Sequence, residues 1–268
     1  MRNLKEEVPQ KKYFEKTVSA AVQRKKMESP KARDLGPLYP FIISGGKVTE
    51  LIYFREIENF TQYKFNIEPR YFGDESNYVD KFQKHIDEIL KGSPEAKIYC
   101  VFDWDTIYGK INGQRKHRSF VLENAPLIKN KTLFICRSMP CIEYWFLLHF
   151  TNEMKLFPTC GKITKALSSY MQSYFTYKQP QSEAARLKME QAPTKSTINF
   201  KNILKDKNYL DDGIWVKKLC EDGKLENAIK NAEENITQLR KIHSLEVDHS
   251  FSFVYLPFKN YNDDIKQK

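Results

Sequence analysis

Two aspartates separated by one residue, Asp103 and Asp105, are the first candidates for chemistry in this sequence. They follow residues 97–102 (KIYCVF), which carry the clearest strand signal of the chain. Because side chains alternate along an extended chain, both carboxylates are expected on the same side of the strand end. Paired anionic oxygens can capture Mg²⁺ or Mn²⁺ beside a phosphate. A solvated acidic turn is the competing interpretation, since Asp favours turns and strand ends.

Three basic residues come soon after these aspartates, namely Lys110, Lys116 and Arg118. Positive side chains near a metal-binding turn are suited to contact the phosphates of a nucleic-acid backbone. A solvated loop explains the same residues equally well, so both interpretations stay open.

The chain as a whole is basic, with a formal net charge of +10 and a pI of about 9.2. Such a surface attracts polyanions, of which nucleic acid is the commonest. Residues 1–38 hold ten Lys and Arg against five Asp and Glu. They are expected to form a basic arm that lies along a phosphate backbone or a partner, or that is simply frayed and solvated. A basic surface without a specific ligand is the alternative for the whole chain.

Apolar runs alternate with amphipathic repeats from residue 40 onward. This alternation predicts an α/β fold with a mainly parallel, Rossmann-like sheet and helices on both faces. Any site is then expected at the carboxyl ends of the strands. We predict strands at 40–44, 63–68, 97–102 and 132–137, and helices at 49–60, 77–91, near 119–125 and at 140–150.

The signals weaken beyond the apolar segment that ends near residue 150, and the rest is expected to be mostly helical. Within it, residues 225–242 repeat apolar side chains at steps of three and four, a spacing typical of a packing seam. The seam is short, which favours docking on the chain's own domain over a coiled coil with a partner. We divide the chain into the arm 1–38, an α/β domain at 39–155 and a C-terminal region at 156–268.

The five cysteines are odd in number and no pair has the spacing of a zinc knuckle. We expect most of them to be small buried side chains in a reducing compartment. No apolar run is long enough to span a bilayer, and the N-terminus lacks the apolar core of a signal peptide. These features predict a cytoplasmic protein without membrane contact.

The turn Gly45-Gly46-Lys47 separates the first strand from the first helix. A phosphate-binding P-loop would require Gly at position 41 and Ser or Thr at position 48, where Phe41 and Val48 stand, so the pattern argues against ATP binding. Backbone N–H groups at a helix N-terminus can still hold one phosphate. We therefore include Lys47 among the candidate phosphate contacts.

Three segments together carry a resemblance to a known family. A strand, a turn, a helix starting near Glu50 and a later strand with D-x-D are similar to a Toprim domain. Residues 43–54 (ISGGKVTELIYF), 101–105 (VFDWD) and 138–150 (SMPCIEYWFLLHF) look like successive motifs of the RloB family. The resemblance covers about residues 40–150, and the third motif is the most specific because of its Pro-Cys-x-Glu turn.

The resemblance implies a metal-dependent nuclease site with Mg²⁺ or Mn²⁺ as cofactor. Its ligands would be Asp103, Asp105 and Glu50, and Glu143 of the Pro-Cys-x-Glu turn would join them in catalysis. It also implies an ABC/SMC-like ATPase partner in a phage-defence system. The target would be DNA or RNA, including tRNA.

Two positions depart from the family pattern. Gly45 stands where the family usually has a Glu, and Lys47 stands where it commonly has another. Each lost carboxylate weakens the attraction for a hard cation. A non-catalytic Toprim-like module that binds nucleic acid or the partner is therefore the main alternative, and a phosphodiesterase for a small nucleotide is the third.

His149 lies in the apolar segment 140–150. A histidine in such surroundings is more often a hydrogen-bonded core residue than a catalytic base, and the core role is favoured here.

Overall fold

The computed structural model describes residues 35–36, 38–46, 49–68, 78–175, 214–241 and 249–266. All of these lie within the unit Arg33–Lys268. Lys47 and nearly all of the predicted basic arm fall outside the described residues. The division at residue 155 stays a prediction.

Five strands form one sheet in the order β2-β1-β3-β4-β5. Strand β1 (Phe41–Ser44) pairs in parallel with β2 (Asn66–Glu68) and with β3 (Ile98–Asp103). Strand β3 also pairs in parallel with β4 (Leu133–Met139), and β5 (Phe251–Ser252) closes the edge antiparallel to β4. The predicted α/β fold with a mainly parallel sheet is confirmed.

Parallel strands are covered on both faces and are therefore rich in apolar residues. Strand β3, at the centre of the sheet, fits this pattern. Its residues from Ile98 to Phe102 are all buried. The register places Ser44 opposite Val101 and Asp103 opposite Ser138. The carboxyl ends of β1, β3 and β4 therefore meet at one edge of the sheet.

Helices connect and cover these strands. The described helices are α1 (Thr49–Glu56), α2 (Tyr78–Gly92), α3 (Asp105–Tyr108), α4 (Ile111–Glu123), α5 (Ala125–Lys129), α6 (Glu143–Leu147), α7 (Cys160–Phe175), α8 (Ile214–Cys220), α9 (Lys224–Lys241) and α10 (Leu256–Lys266). Two 3₁₀ turns lie at Ile57–Asn59 and Glu221–Gly223. None of the described helices combines the length and the apolar character that crossing a membrane would require.

Helix α4 differs most from its prediction, because it begins at Ile111 and not near residue 119. Its buried positions are Gly113, His117 and Phe120. Their spacing is helical, but the sequence prediction relies on apolar residues and therefore overlooks a glycine and a histidine. A side chain at position 113 would also bring its Cβ within 2.6 Å of the Ile107 carbonyl oxygen, so the close contact between α3 and α4 requires glycine.

Two further helices are shorter than predicted. Helix α1 gives way to the 3₁₀ turn at Ile57, so the 49–60 prediction holds only in part. Only Glu143–Leu147 of segment 140–150 is α-helical. Helix α9 matches its prediction closely, and its apolar residues Leu225, Ile236 and Leu239 are buried within this chain.

A buried hydrogen-bond cluster joins α1 to the segment that contains α6. The Trp145 Nε1–H donates to the Tyr53 hydroxyl at 2.9 Å, and the Tyr53 hydroxyl lies 3.4 Å from His149 Nε2. His149 Nδ1 lies 2.9 Å from the Trp145 carbonyl oxygen. Burial lowers the pKa of His149 to about 3, so its ring is neutral at pH 7. His149 is thus a core residue that connects α1 to the turn after α6.

Helix α10 completes this core from the C-terminal part of the chain. The Phe258 ring stacks on Trp145 with centroids 5.6 Å apart, and it stacks on Phe54 at 6.1 Å. The aromatic side chains therefore fix α1 and α6 relative to each other from a third direction.

We predict that Tyr53→Phe lowers the free energy of unfolding by about 1–3 kcal/mol, because it leaves the buried Trp145 N–H without its acceptor. Urea unfolding followed by circular dichroism measures this change. Tyr170→Phe serves as the control, since Tyr170 is 41% exposed and its ring stacking on Phe150 does not use the hydroxyl. Equal stabilities of the two variants would show that the cluster does not hold the helices together.

Candidate metal centre

The four acidic residues predicted from the sequence lie at the carboxyl edge of the sheet. Asp103 is the last residue of β3, and Asp105 is the first residue of α3. Glu50 lies in the first turn of α1, and Glu143 is the first residue of α6. Each of the four acids thus lies at the carboxyl end of β1, β3 or β4 or in the connection that follows it.

Backbone hydrogen bonds hold the turn that contains the two aspartates. The Ile142 N–H donates to Asp103 Oδ1 at 2.8 Å. The Trp104 N–H donates to the Ser138 carbonyl at 2.8 Å, and the Asp105 N–H donates to the Pro140 carbonyl at 3.1 Å. The turn after β3 is therefore fastened to the turn after β4, which leads directly into Glu143.

Glu50 reaches the site because Gly46 leaves room for it. Residue Glu50 is 5% exposed, and a Cβ built on Gly46 would lie only 1.7 Å from Glu50 Oε2. Any side chain at position 46 would thus displace this carboxylate. The second glycine of the turn is required for space and not for a P-loop.

The electrostatics of the site show that these carboxylates act on one another. Burial, and then the negative charges of Glu50, Glu143 and Asp105, raise the pKa of Asp103 well above its ordinary range. Burial, and then the charge of Glu143, raise the pKa of Glu50 to about 7. Burial also raises the pKa of Asp105. We call Glu50, Asp103, Asp105 and Glu143 the acidic cluster.

The donor atoms of the acidic cluster are of the type that binds a hard divalent cation, although no three of its carboxylates bring oxygen atoms within 4.8 Å of one another in this structure. Its ligand atoms are carboxylate oxygens, which Mg²⁺ and Mn²⁺ prefer. A cation would also offset the mutual repulsion that the raised pKa values express. Asp103 is half-buried, and its Oδ1 accepts a backbone hydrogen bond from Ile142. Asn is therefore a better test substitution there than Ala.

The expectation of reduced cysteines is wrong for two of the five residues, although one of them, Cys141, is buried as expected. Cys141 and Cys160 are joined as a disulfide, with their Cα atoms 5.9 Å apart. Cys160 Sγ also lies 3.4 Å from Asp105 Oδ2. The sequence did not predict this pairing because the two cysteines are 19 positions apart and match no motif. Cys100 and Cys136 are free and buried, as expected.

The sulfur atoms border the acidic cluster. Within the described part of the chain, the ligand atoms of Cys141, Glu143 and Cys160 all lie within 4.8 Å of one another. Two sulfur atoms joined as a disulfide carry no thiolate, so this set offers a cation only the Glu143 carboxylate, which it shares with the predicted set.

Gly45, the position at which the family usually has a Glu, is closely packed against β3. A Cβ on Gly45 would lie 2.9 Å from the Phe102 Cβ and 3.2 Å from the Val101 carbonyl oxygen. The Gly45 N–H donates to that same carbonyl at 2.7 Å. Simple replacement by Glu therefore cannot add a ligand without moving β1 or β3.

The basic candidates lie on or beside α4. Lys110 precedes the helix and is exposed, as is Arg118, whereas Lys116 is half-buried. They belong to a helix and its N-terminal boundary and not to the loop that was considered. Lys47 lies outside the described residues, so its predicted phosphate contact stays a prediction.

A family model described as RloB-like protein matches residues 40–256, which is most of the chain and more than the 40–150 segment in which the motifs were recognised. No curated protein and no solved structure matches the chain.

Glu50 gives a testable pH dependence. A carboxyl whose folded pKa is raised binds its proton more tightly when folded, so stability falls as pH rises from the unfolded value of 4.5 through about 7. Between pH 5 and pH 8 in EDTA, we predict that the free energy of unfolding of the wild type falls by roughly 3 kcal/mol more than that of Glu50→Gln. Urea unfolding at both pH values measures it. Glu123→Gln, an exposed carboxyl on α4, is the control. A wild-type curve that is flat over this range would contradict the buried like-charge arrangement.

Gly45 gives a second prediction. Gly45→Ala should lower the free energy of unfolding by about 1–3 kcal/mol, since overpacking against Phe102 forces a shift. Gly161→Ala is the matched control, because a Cβ there meets only Thr159 Oγ1 at 3.8 Å. Thermal unfolding compares the two. A Gly45→Ala protein as stable as Gly161→Ala would mean that position 45 can accept a side chain.

Proposed function

The chain belongs to the RloB-like protein family, and on that premise we propose that it is a metal-dependent nuclease subunit of a phage-defence system. The observation that carries the proposal is the acidic cluster, in which the charges of Glu50, Glu143 and Asp105 help to raise the pKa of Asp103, and the charge of Glu143 helps to raise that of Glu50. Such a charge arrangement is typical of sites that bind a cation or transfer protons.

In this proposal Asp103, Asp105 and Glu50 hold Mg²⁺ or Mn²⁺. When bound, such a cation lowers the pKa of a water and stabilises charge on the leaving oxygen of a phosphodiester. Asp103 is fixed for this role by the Ile142 N–H. Glu50 titrates near neutral pH in the metal-free state, so it is poised to lose its proton when a cation arrives.

Glu143 connects the cluster to the rest of the fold. It begins α6, and Trp145 of the same helix is hydrogen-bonded to Tyr53 of α1. A carboxylate held in this way can stay close to Asp103 despite the repulsion between them. We assign it a catalytic role beside the cation, either as a further ligand or in orienting the attacking water.

The proposals for the substrate and the partner are based on the charge of the chain and on its family. The net charge of +10 and the basic residues of α4 support a nucleic-acid backbone as substrate, either DNA or RNA, including tRNA. We propose that an ABC/SMC-like ATPase acts with this chain. Its presence beside this gene, and its co-purification with the tagged chain, are the tests of that partnership.

A non-catalytic Toprim-like binding module is the second candidate. The close packing of Gly45 against Phe102 favours it, because the family's usual acid cannot occupy this position without displacement. A third, a phosphodiesterase for a small nucleotide, would hydrolyse cyclic or linear dinucleotides in the absence of long nucleic acid.

The direct test of the nuclease proposal is Asp103→Asn in the complex with the ATPase. We expect cleavage of DNA or RNA with Mg²⁺ to fall at least about 100-fold, since the loss of an anionic ligand weakens cation binding. Asp87→Asn, which changes an exposed acid on α2, should leave cleavage unchanged. If wild type and Asp103→Asn bind nucleic acid equally and neither cleaves, the non-catalytic module is correct.

Salt dependence tests the nucleic-acid contacts. Reversing Lys110, Lys116 and Arg118 to Glu should reduce the slope of log affinity against log salt by up to about 3, because each lost phosphate contact releases roughly one counterion fewer. Sequence preference should change little. Reversing the exposed Lys84, Lys217 and Lys230 changes net charge equally and is the control. Identical slopes for the two triple variants would remove α4 from the interface.

A further inference from the structure

Two cysteines and one glutamate converge from two separate segments of the chain. Cys141 lies in the turn after β4, Glu143 begins α6, and Cys160 is the first residue of α7. Their ligand atoms, which are two sulfur atoms and one carboxylate oxygen, all lie within 4.8 Å of one another. We call these three residues the sulfur–carboxylate set.

The separations within the set are close to those of a zinc site. With Zn–S bonds of about 2.3 Å and Zn–O bonds of about 2.0–2.2 Å, the ligand atoms of a tetrahedral site lie roughly 3.4–3.8 Å apart. The two sulfur atoms are closer to each other because they are joined as a disulfide. Their Cα atoms are 5.9 Å apart, so side-chain rotation can bring the sulfur atoms to the zinc separation once that bond is broken.

Contacts other than the disulfide hold the backbone of the set. Cys141 is fully buried, and its carbonyl oxygen accepts the Tyr144 N–H at 3.0 Å. Helix α7, which begins with Cys160, buries Ile163 and Leu167 in the core. The ligand positions are therefore expected to stay together when the disulfide is reduced.

The set is accessible to an ion from solvent. Cys160 and Glu143 are half-buried, and Cys141 is the buried member of the set. Asp105, whose Oδ2 lies 3.4 Å from Cys160 Sγ, is exposed. A metal ion that is held by the three residues would thus keep its fourth coordination position for water.

We propose that the reduced chain binds one Zn²⁺ ion through Cys141 Sγ, Cys160 Sγ and the Glu143 carboxylate, with a water molecule as the fourth ligand. Reduction of the disulfide by a dithiol transfers two electrons and two protons to the sulfur atoms, and the dithiol becomes a cyclic disulfide. Each cysteine thiol then releases its proton to solvent as its sulfur binds the ion. The disulfide is the oxidised, metal-free form of the same site.

The mixed donors of the set favour zinc over other cations. Thiolates are soft ligands, whereas Mg²⁺ and Mn²⁺ prefer oxygen. Cu⁺ suits the sulfur atoms alone, and a [4Fe–4S] cluster uses four cysteines where this set supplies two. Zn²⁺ accepts both cysteine sulfur and glutamate oxygen in one site.

The sulfur–carboxylate set differs from the predicted magnesium site, although both include Glu143. Asp103 and Glu50 lie outside the set. A Zn²⁺ ion bound to Glu143 would occupy a carboxylate that the acidic cluster otherwise uses, so the two sites are coupled through that residue. Zinc binding to the set is independent of the nuclease proposal, and it is measured without nucleic acid or Mg²⁺.

The test uses Co²⁺ as a probe, because thiolate ligation gives a sulfur-to-cobalt charge-transfer absorption that carboxylate ligation does not. The full chain is reduced with a phosphine, which is oxidised to its oxide, then freed of reductant under argon and titrated with Co²⁺. We expect this absorption to saturate at one Co²⁺ per chain and to vanish when Zn²⁺ displaces the probe. The oxidised chain should not show it. A reduced chain that lacks the absorption, or that unfolds on reduction by circular dichroism, overturns the proposal.

Alkylation of the wild-type chain localises the ion without any substitution. Cys160 and Cys220 are both half-buried, so each reports on its own surroundings in the same sample. We expect Zn²⁺ to slow the alkylation of Cys160 by iodoacetamide at least about 10-fold, because a metal-bound thiolate is shielded, and to leave Cys220 unchanged. Peptide mass spectrometry measures both rates. A rate at Cys160 that does not respond to Zn²⁺ overturns the proposal.

Reduced variants identify the ligands. Cys160→Ser should bind Zn²⁺ at least about 100-fold more weakly, because losing a direct ligand costs more than the 10–100-fold loss typical of an outer partner. Glu143→Gln should also weaken binding, whereas Glu123→Gln, at an exposed carboxyl of α4, and Cys220→Ser should not. Wild-type affinity in Cys160→Ser overturns the assignment, and if that variant does not fold, the alkylation rates decide.

One more variant separates the set from the acidic cluster. Asp103→Asn should keep the cobalt–sulfur absorption and its displacement by Zn²⁺, since its side-chain carbonyl can still accept the Ile142 N–H. A loss of cleavage in that variant then concerns the acidic cluster alone. If Asp103→Asn loses the absorption as well, the two form a single site and the separate zinc site is wrong.

Discussion

Repulsion among carboxylates at the carboxyl edge of the sheet is the constraint on which the rest of the structure depends. Burial and mutual charge raise the pKa values of Asp103 and Glu50, so the metal-free fold holds these groups against an electrostatic cost. The register of β1, β3 and β4 brings the strand ends together. The Ile142 N–H then fixes Asp103, and the space above Gly46 admits Glu50.

The aromatic core holds the starts of α1 and α6 in place at this edge of the sheet. Tyr53 is three residues beyond Glu50 on α1, and Trp145 is two residues beyond Glu143. The hydrogen bond between Tyr53 and Trp145, together with stacking on Phe258, keeps the two acidic helix starts from moving apart. A cation bound between them would relieve the repulsion, so metal binding and folding stability are expected to be linked.

The sequence was most informative where one signal was continuous. The apolar run before Asp103 predicts a buried strand, and the Pro-Cys-x-Glu turn identifies the family motif around Glu143. It was least informative where the cause is a contact between distant residues. No local pattern reveals that Gly113 and His117 face inward, that Glu50 folds over Gly46, or that Cys141 meets Cys160. The strand Phe251–Ser252 is too short to show any periodicity.

The measurement that bears most directly on the central claim is the anomalous scattering of crystals soaked in Mn²⁺. We predict one strong peak within bonding distance of carboxylate oxygens of Asp103 and Glu50, at about 2.0–2.2 Å, with Asp105 or Glu143 completing the ligand set. The same soak of Asp103→Asn crystals should show no peak there. A wild-type crystal with no Mn²⁺ among these carboxylates, or with Mn²⁺ only beside Cys141 and Cys160, would contradict the assignment of the acidic cluster as the metal centre.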